Sequence, residues 1–181
     1  WDDKLVEYGS KIISSREKFI EKLSGIAMRV SENLTGNREH LELVYEPDVT
    51  TDYYSHNLKK AREKDLHFLS TSVGPHRDDL CFLNKNIDIR KYGSQGQQRT
   101  CALALKLAEI ELVKEVTNDT PVLLLDDVLS ELDRNRQNYL LDNINNIQTI
   151  ITCTGLEEFI DGRISLDKVF CISDGTVILE K

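Results

Sequence analysis

Apolar residues recur at helical spacing over the first part of the chain. Between positions 3 and 34 they return every three or four residues, which predicts a long amphipathic helix or a broken pair of helices. The apolar positions are Leu5, Tyr8, Ile12, Ile13, Phe19, Ile20, Leu23, Ile26, Ala27, Val30 and Leu34. The stretch Leu34-Thr35-Gly36-Asn37 then ends the pattern, because glycine and asparagine favour a turn.

Short strands flank a second helix in the next stretch. Alternating apolar and polar residues predict the strands, and a run of charged residues predicts the helix. The turn Asn84-Lys85-Asn86 suits left-handed backbone and therefore a hairpin. The predicted elements are a strand over 41–45, a helix over 53–64, a strand over 67–73, and hairpin strands over 80–83 and 87–89.

The second half of the chain alternates strand and helix. Pro121–Leu125 is a continuous apolar run, which suits a strand buried on both faces of a parallel sheet. Such alternation predicts an α/β core. The predicted elements are helices over 97–116 and 134–147, strands over 121–125 and 148–153, and a hairpin of 169–172 with 177–179 that turns at Asp174-Gly175.

The composition is that of an ordinary globular protein with a net negative charge. Among 181 residues, 40% are hydrophobic and 30% are charged, and the formal net charge is −8. Basic residues are concentrated between His76 and Lys106, so the sequence allows a local basic surface. The global charge gives no reason to expect nucleic acid as a partner. No apolar run approaches the roughly 20 residues of a membrane helix. Because residues 1–20 are polar and charged, no signal peptide is expected either.

Cysteine and histidine spacing predicts no metal cluster. The four cysteines contain no CxxC pair, and three of them lie in apolar runs, so we expect free, buried thiols in a reducing cytoplasm. A zinc site needs clustered ligands, and the four histidines do not supply them. The cysteines are Cys81, Cys101, Cys153 and Cys171.

Two acidic residues follow the apolar strand of the second half. Asp126 and Asp127 come at its carboxyl end, which is where open α/β sheets place their ligands. One carboxylate there can hold Mg²⁺, and the other can orient or deprotonate an attacking water. A solvated acidic turn explains the same residues, and the pair alone does not decide between the two interpretations.

Polar residues at three further places favour the same kind of chemistry. Ser94 and Gly96 precede a long helix, where a hydroxyl and open backbone N–H groups form an anion site, or simply an N-cap with a tight turn. Ser130 and Asp133 open the helix after the aspartates and are equally explained as helix caps. The strand over 148–153 ends in small polar side chains that would point at the same crevice.

The order and wording of these segments resemble the ABC-type ATPases, and within them the RecF family of bacterial replication and repair proteins. The segments are Gly74-Pro75-His76-Arg77-Asp78-Asp79, the GSQGQQR sequence over 93–99 and the LLLDDVLSELD sequence over 123–133. The resemblance is strong over about 67–155. It implies the Walker-B half of an ABC-type (RecA-like) ATPase core plus a mainly helical lobe. The implied segments are part of an arm lobe over 1–72, a signature-motif segment and helix over 73–118, and the C-terminal part of the core over 119–181.

The resemblance implies a role for each matching residue. ABC-type ATPases hold two ATP molecules between two heads, each nucleotide bound by the phosphate loop of one subunit and capped by the signature motif of the other. The implied roles are Ser94, Gly96 and Gln97 as signature-motif contacts to the partner's ATP, Asp126 at Mg²⁺, Asp127 as the catalytic carboxylate, Ser130 to Asp133 as the D-loop, Thr152 or Thr154 at the switch, and His76, Arg77 or Arg99 facing DNA or the interface.

The block over 76–79 has a structural alternative. In that interpretation Pro75 fixes the entry to a turn, and Arg77 pairs with a neighbouring aspartate. In the functional interpretation the block contacts nucleotide, DNA or the partner head. His76 as a base or metal ligand is disfavoured, because no second ligand is nearby in the sequence.

The chain departs from the family pattern in three respects. Asp127 stands where many ABC ATPases carry Glu, so its carboxylate reaches one methylene less far, and we expect slow hydrolysis. The switch histidine is absent, and Cys153 and Thr154 stand in its neighbourhood. No GxxxxGK[ST] phosphate loop occurs, the chain opens at Trp1, and its single methionine is Met28, so we expect an excised C-terminal half without ATPase activity of its own.

The family resemblance implies an ATP-dependent homodimer in recombinational repair, replication and the SOS response. Such a protein binds gapped or partly duplex DNA in the bacterial cytoplasm, associated with the nucleoid, and helps mediators load recombinase. It requires ATP, Mg²⁺ and the missing N-terminal half, and no membrane. The alternative is a non-catalytic partner-binding module on an ATPase-like scaffold, with the helical start as a docking arm. An unrelated Mg²⁺-dependent phosphotransferase is a poorer alternative, because no substrate-pocket motif is present.

Overall fold

The computed structural model describes residues 1–129, 132–144, 146–154 and 167–179. The chain divides into two compact units, Trp1–Thr120 and Pro121–Lys181. The first unit holds the long helices and a small antiparallel sheet, and the second holds a parallel strand pair.

The first helix, α1, is a single unbroken helix over Asp2–Thr35. The alternative of a broken pair is therefore wrong. Its apolar stripe is buried along Ile20, Ile26 and Val30. Gly36 ends it in left-handed conformation with φ 61°, which glycine adopts without strain.

The sheet of the first unit has the order β1-β2-β3 and is antiparallel throughout. The predicted hairpin is confirmed, since β2 pairs with β3 across a turn at Lys85 and Asn86, both with positive φ. The longer pairing is between β1 and β2, and it joins residues far apart in the sequence. The strands are β1 Leu41–Glu46, β2 Asp79–Asn84 and β3 Ile87–Asp88.

The second helix, α2, extends over Tyr54–Phe68. The strand predicted over 67–73 is wrong, because the helix continues into its first two residues and ends at Leu69 in left-handed conformation. The following loop folds back on Asp65, whose backbone carbonyl accepts from the Ser70 N–H and whose side chain accepts from the Ser72 N–H. The backbone groups that a strand would use are thus bonded locally.

Two further helices complete the first unit. The short α3, Ile89–Tyr92, leads within two residues into α4, Gln95–Thr117. Helix α4 packs against α1. Small side chains are fully buried on both helices, namely Ala27 of α1 and Ala104 and Ala108 of α4, and such residues allow helices to pack densely.

The second unit contains the predicted parallel pair, β4 Leu123–Asp126 and β5 Thr149–Thr152, which align from Leu123 opposite Thr149 to Asp126 opposite Thr152. Helix α5 extends over Arg134–Ile144, shorter than predicted. An antiparallel hairpin of β6, Phe170–Ser173, and β7, Thr176–Leu179, follows as predicted.

Strand β4 is not buried on both faces. Leu123 and Leu125 are buried, whereas Leu124 is 65% exposed and the preceding Val122 is 53% exposed. Ile150 of the neighbouring strand is also exposed, at 56%. The apolar run therefore alternates between a covered and an open face in the part of the chain that the structure describes, and the prediction of two covered faces is wrong.

The cysteines are free thiols, as predicted, but they are less buried than predicted. Cys101 is buried, and burial raises the pKa of its thiol to about 11. Cys81, Cys153 and Cys171 are half-buried. No helix among the described residues has the length and apolar character needed to cross a membrane.

Candidate active site

Helix α4 begins with a complete capping box. The Ser94 hydroxyl accepts from the Gln97 N–H at 3.2 Å, and the Gln97 side-chain oxygen accepts from the Ser94 N–H at 2.9 Å. The N-cap interpretation of Ser94 is therefore realised. It leaves Ser94 exposed and Gly96 in the first turn, so backbone N–H groups at the positive end of the helix stay close to the surface.

The short helix α3 places this start of α4, and the sequence patterns did not reveal it. Asp88 caps α3, its carboxylate accepting from the Arg90 N–H at 2.9 Å and the Lys91 N–H at 3.3 Å. A hydrogen bond from Lys91 lowers the pKa of Asp88 below its ordinary value. Gly93 then passes so close to α3 that a Cβ would lie 2.5 Å from the Ile89 carbonyl oxygen. The GSQGQQR sequence over 93–99 thus begins in a tightly folded turn.

The aspartates of the second unit lie at the carboxyl ends of the two parallel strands. Thr152 stands opposite Asp126, and its hydroxyl donates to Asp126 Oδ1 at 2.5 Å. The same hydroxyl accepts from the Asp127 N–H at 3.2 Å, and the Thr152 carbonyl accepts from that N–H at 3.1 Å. The structure therefore brings together three of the residues singled out in the sequence.

Asp127 has left-handed backbone, with φ 51°. Among residues with a side chain, Asp and Asn adopt this conformation most readily, because their short polar groups bond to nearby backbone. The local geometry thus gives a physical reason for Asp rather than Glu at this position. Strained backbone of this kind concentrates at functional sites.

The remaining residues around the aspartates are placed separately. Asp133 caps α5, accepting from the Asn135 N–H at 3.0 Å and the Arg136 N–H at 3.1 Å, so its capping interpretation is realised. Ser130 lies outside the described residues. Thr154 is exposed beyond the end of β5.

Oxygen donors at the strand ends suit a hard cation. Carboxylate and hydroxyl oxygens are ligands that Mg²⁺ accepts, and Mg²⁺ bound with nucleotides takes one or two carboxylates and fills its other positions with phosphate oxygens and water. The Asp126 carboxylate and the Thr152 hydroxyl match that donor set. Within the described residues, no three His, Cys, Asp or Glu side chains cluster to hold a metal by themselves.

The block over 76–79 is tied to the first helix. Pro75–Arg77 forms a 3₁₀ turn, after which the Asp78 side chain is only 4% exposed. Its carboxylate accepts from Arg16 of α1 at 2.7 Å, from the Tyr45 hydroxyl and from the Asp48 N–H at 3.1 Å. Asp78 therefore links its own turn to two segments that are distant in the sequence, α1 and the stretch over 45–48.

The detail that Arg77 pairs with a neighbouring aspartate is wrong. Asp78 pairs with Arg16, and Asp79 pairs with Arg90 at 2.9 Å, which lowers the pKa of the Asp79 carboxyl. Arg77 and His76 are both exposed on the turn. One ring nitrogen of His76 donates to the Thr71 carbonyl at 2.8 Å. Arg99 is exposed near the start of α4.

Tyr54 explains the glycine that opens this block. A Cβ at Gly74 would lie 2.4 Å from the Tyr54 hydroxyl oxygen, and a Cβ at Gly9 of α1 would lie 2.4 Å from its ring. Gly74 also has φ 134°, where other residues are strained. The absence of a side chain at the two glycines therefore leaves room for the buried Tyr54 ring between the turn and α1.

Comparison with known proteins gives a consistent match. No protein-family model matches the chain. The protein named DNA replication and repair protein RecF of Lachnospira eligens is 56% identical over 180 residues, which is 99% of this chain and 50% of that protein. Its counterpart in Lachnoclostridium phytofermentans is 55% identical over 177 residues, and that of Clostridium perfringens is 43% identical over 182 residues.

Solved structures agree with these relatives. The recombination mediator protein RecF in the RecFOR pathway, solved with ATPrS, matches with a TM-score of 0.82 and 38% identity over 99% of this chain. The same protein solved with ATP matches with a TM-score of 0.83. The chain belongs to the RecF family.

The predicted fold class is thereby confirmed, since RecF is an ABC-type ATPase and the chain is a mixed α/β structure. The chain spans about half the length of the curated RecF relatives that it matches, and it corresponds to the C-terminal half of RecF.

Proposed function

We propose that this chain supplies the signature motif and the Walker-B strand of a RecF protein that dimerises on ATP and binds DNA. The observation that carries the proposal is the hydrogen-bonded group of Asp126, Asp127 and Thr152 at the carboxyl ends of parallel strands, in a chain 56% identical to a RecF protein. Such a strand edge is where α/β sheets bind nucleotides. The solved relatives were determined with ATP or ATPrS, which supports nucleotide as the ligand.

The residues have separate roles in this proposal. Asp126 holds Mg²⁺, and Thr152 fixes the orientation of its carboxylate. Asp127 orients and deprotonates the water that attacks the γ-phosphate. Ser94, Gly96 and Gln97 contact the nucleotide held by a second copy, using the N–H groups at the start of α4. Mg²⁺ supplies charge neutralisation of the phosphate oxygens when it is bound.

DNA binding follows from closure of the two heads in this proposal. The chain carries net charge −8, so contact with DNA depends on a local surface that includes the exposed Arg77 and Arg99, not on the global field. We expect the assembled protein to act in the bacterial cytoplasm on nucleoid DNA, with recombination mediators as partners. Log affinity should fall linearly with log salt, because phosphate contacts release counterions.

The test uses a chimera in which this chain replaces the matching half of the Lachnospira eligens RecF protein. We expect the chimera to bind ATP, to dimerise on ATP and to hydrolyse it slowly. The Asp126→Ala variant should lose all Mg²⁺-dependent effects of nucleotide, because the carboxylate ligand is gone. Asp142→Ala, at an exposed acidic position of α5, is the matched control and should behave like the parent.

The isolated chain is the second arm of the test. It has no GxxxxGK[ST] sequence, so we expect neither ATP binding nor hydrolysis without the other half. Robust hydrolysis by the isolated chain would overturn the proposal. Full nucleotide response of the Asp126→Ala chimera would instead favour a non-catalytic module on an ATPase-like scaffold.

A further inference from the structure

The peptide bond between Gly93 and Ser94 is held on both sides by consecutive glutamines. Its N–H, on Ser94, donates to the Gln97 side-chain oxygen at 2.9 Å. Its carbonyl, on Gly93, accepts from the Gln98 side-chain nitrogen at 3.4 Å. The first contact belongs to a capping box, which many helices have, whereas the second reaches backwards past the cap.

The Gln98 amide also gathers the carbonyls of the preceding turn. Its nitrogen lies 3.3 Å from the Ile89 carbonyl oxygen and 3.4 Å from that of Arg90. The Ile89 carbonyl already accepts from the Gly93 N–H at 3.0 Å, so Gln98 adds a second donor there. The carbonyls that follow lie at the end of a four-residue helix, where carbonyls have no partner within the helix. A donor at this point therefore stabilises the turn as a whole.

The chemistry of the contact requires a donor. All three neighbouring groups are carbonyl oxygens, which only accept, so the amide nitrogen must face them and the amide oxygen must point away. Gly93 makes the approach possible, because a side chain there would collide with the Ile89 carbonyl. Gln98 itself is exposed, so its contribution is directional and not the filling of a core.

We propose that Gln98 is a positioning residue for the nucleotide contact of Ser94, holding the Gly93–Ser94 peptide so that the hydroxyl and the N–H groups of α4 meet the γ-phosphate bound by a second copy. The inference rests on the proposed function of Ser94. It assigns to Gln98 no contact with the nucleotide itself.

Four variants of the Lachnospira eligens chimera test the inference, with the dimer dissociation constant measured by sedimentation in a slowly hydrolysed ATP analogue. Gln98→Glu places an acceptor against three carbonyls and should raise the constant by about tenfold. Gln98→Ala should raise it by roughly threefold, and Gln98→Lys, which restores a donor of similar reach, should stay within about twofold of the parent. Ser94→Arg should abolish dimerisation on the analogue.

Two readouts separate positioning from general damage. The affinity of each Gln98 variant for a fluorescent ATP analogue, measured at protein concentrations below those at which the dimer forms, should match the parent, because each subunit's own ATP is held elsewhere. The thermal midpoint should fall by no more than about 5 °C, because Gln98 is exposed and only its bonds to the turn are lost. A side chain that merely fills space would give similar results for Glu and Lys and the largest loss for Ala. If Ala shows the largest loss and Glu and Lys behave alike, the inference is overturned. It is also overturned if all Gln98 variants dimerise equally well while Ser94→Arg fails to dimerise. If Ser94→Arg dimerises as well as the parent, the proposed function is overturned instead.

Discussion

The Thr152 hydroxyl donates to the Asp126 carboxylate at 2.5 Å while it accepts from the Asp127 N–H at 3.2 Å. One side chain on β5 therefore fixes both the last residue of β4, Asp126, and the residue that follows it, Asp127. Because the strands are parallel and aligned at this point, the three residues meet at one edge of the sheet. A hydroxyl that bonds a metal-ligating carboxylate sets the orientation of its oxygens and tunes the ligand.

Replacing Thr152 by Val should slow Mg²⁺-dependent ATP hydrolysis by the chimera by about tenfold with little change in ATP affinity, because the isosteric side chain cannot hold the Asp126 carboxylate. Thr152→Ser keeps the hydroxyl and should retain most of the rate. Steady-state phosphate release measures both. Thr154→Val is the matched control. A larger loss of hydrolysis rate in Thr154→Val than in Thr152→Val would contradict the role of Thr152 and would make Thr154, beyond the end of β5, the switch residue.

Asp78 and Asp79 are neighbours that should differ strongly in their contribution to stability. Asp78→Ala should lower the free energy of unfolding by about 2 kcal/mol, because Arg16 and the Tyr45 hydroxyl lose a shielded partner. Asp79→Ala should leave it nearly unchanged, because the Asp79 and Arg90 side chains are 57% and 46% exposed. Urea unfolding followed by circular dichroism compares the two, and equal losses would contradict the buried role of Asp78.

Tyr45 should make the protein less stable at alkaline pH. Burial, with the hydrogen bond to Asp78, raises the pKa of Tyr45 from 10.0 to about 12. The folded state then keeps a proton that the unfolded chain has lost, so this contribution is complete below pH 10 and disappears as the pH rises towards about 12. Thermal midpoints across that interval should fall less steeply for Tyr45→Phe.

A residual alkaline slope is expected in that variant, since burial also raises the pKa of Tyr54. Titration of the phenolate absorbance identifies the two late-titrating tyrosines. If the thermal midpoint of Tyr45→Phe falls with pH as steeply as that of the parent, the Tyr45 hydroxyl of the parent is not shielded.

The glycines at the start of α4 should separate folding from function. Gly93→Ala should lower the free energy of unfolding by roughly 2 kcal/mol, because its Cβ would lie 2.5 Å from the Ile89 carbonyl oxygen. At Gly96 a new Cβ would lie 3.9 Å from the Ser94 hydroxyl oxygen, which is an ordinary van der Waals contact, so Gly96→Ala should fold normally. We expect Gly96→Ala to weaken dimerisation on ATP by at least about tenfold, because a methyl group would stand where the phosphate approaches.

Thermal unfolding and sedimentation with ATP measure the two properties. Normal dimerisation of Gly96→Ala would remove Gly96 from the nucleotide contacts.

The sequence was most informative where one local pattern determined one element. The apolar stripe of α1 and the Asp174-Gly175 turn of the last hairpin were both predicted, since each depends on neighbours within a few residues. The strand predicted over 67–73 failed because backbone bonds to Asp65, which no periodicity shows, hold that loop.

The residues that meet in the candidate site were predicted from the sequence, whereas the contacts and the short helix that support the neighbouring segments were not. Asp126, Asp127 and Thr152 stood out because strand ends in an α/β sheet converge. The Arg16 partner of Asp78 is separated from it by 62 positions, and α3 is too short for a periodic pattern. Contacts of that kind depend on the folded path of the chain, which single-sequence patterns do not encode.

The open face of the parallel pair has a practical consequence. Val122, Leu124 and Ile150 are exposed apolar residues on or beside a pair of strands that pair with no third strand among the described residues. Produced alone and concentrated, the chain should therefore form soluble oligomers or precipitate before it unfolds, and a charged replacement at Leu124 should be the most direct means of keeping it monodisperse.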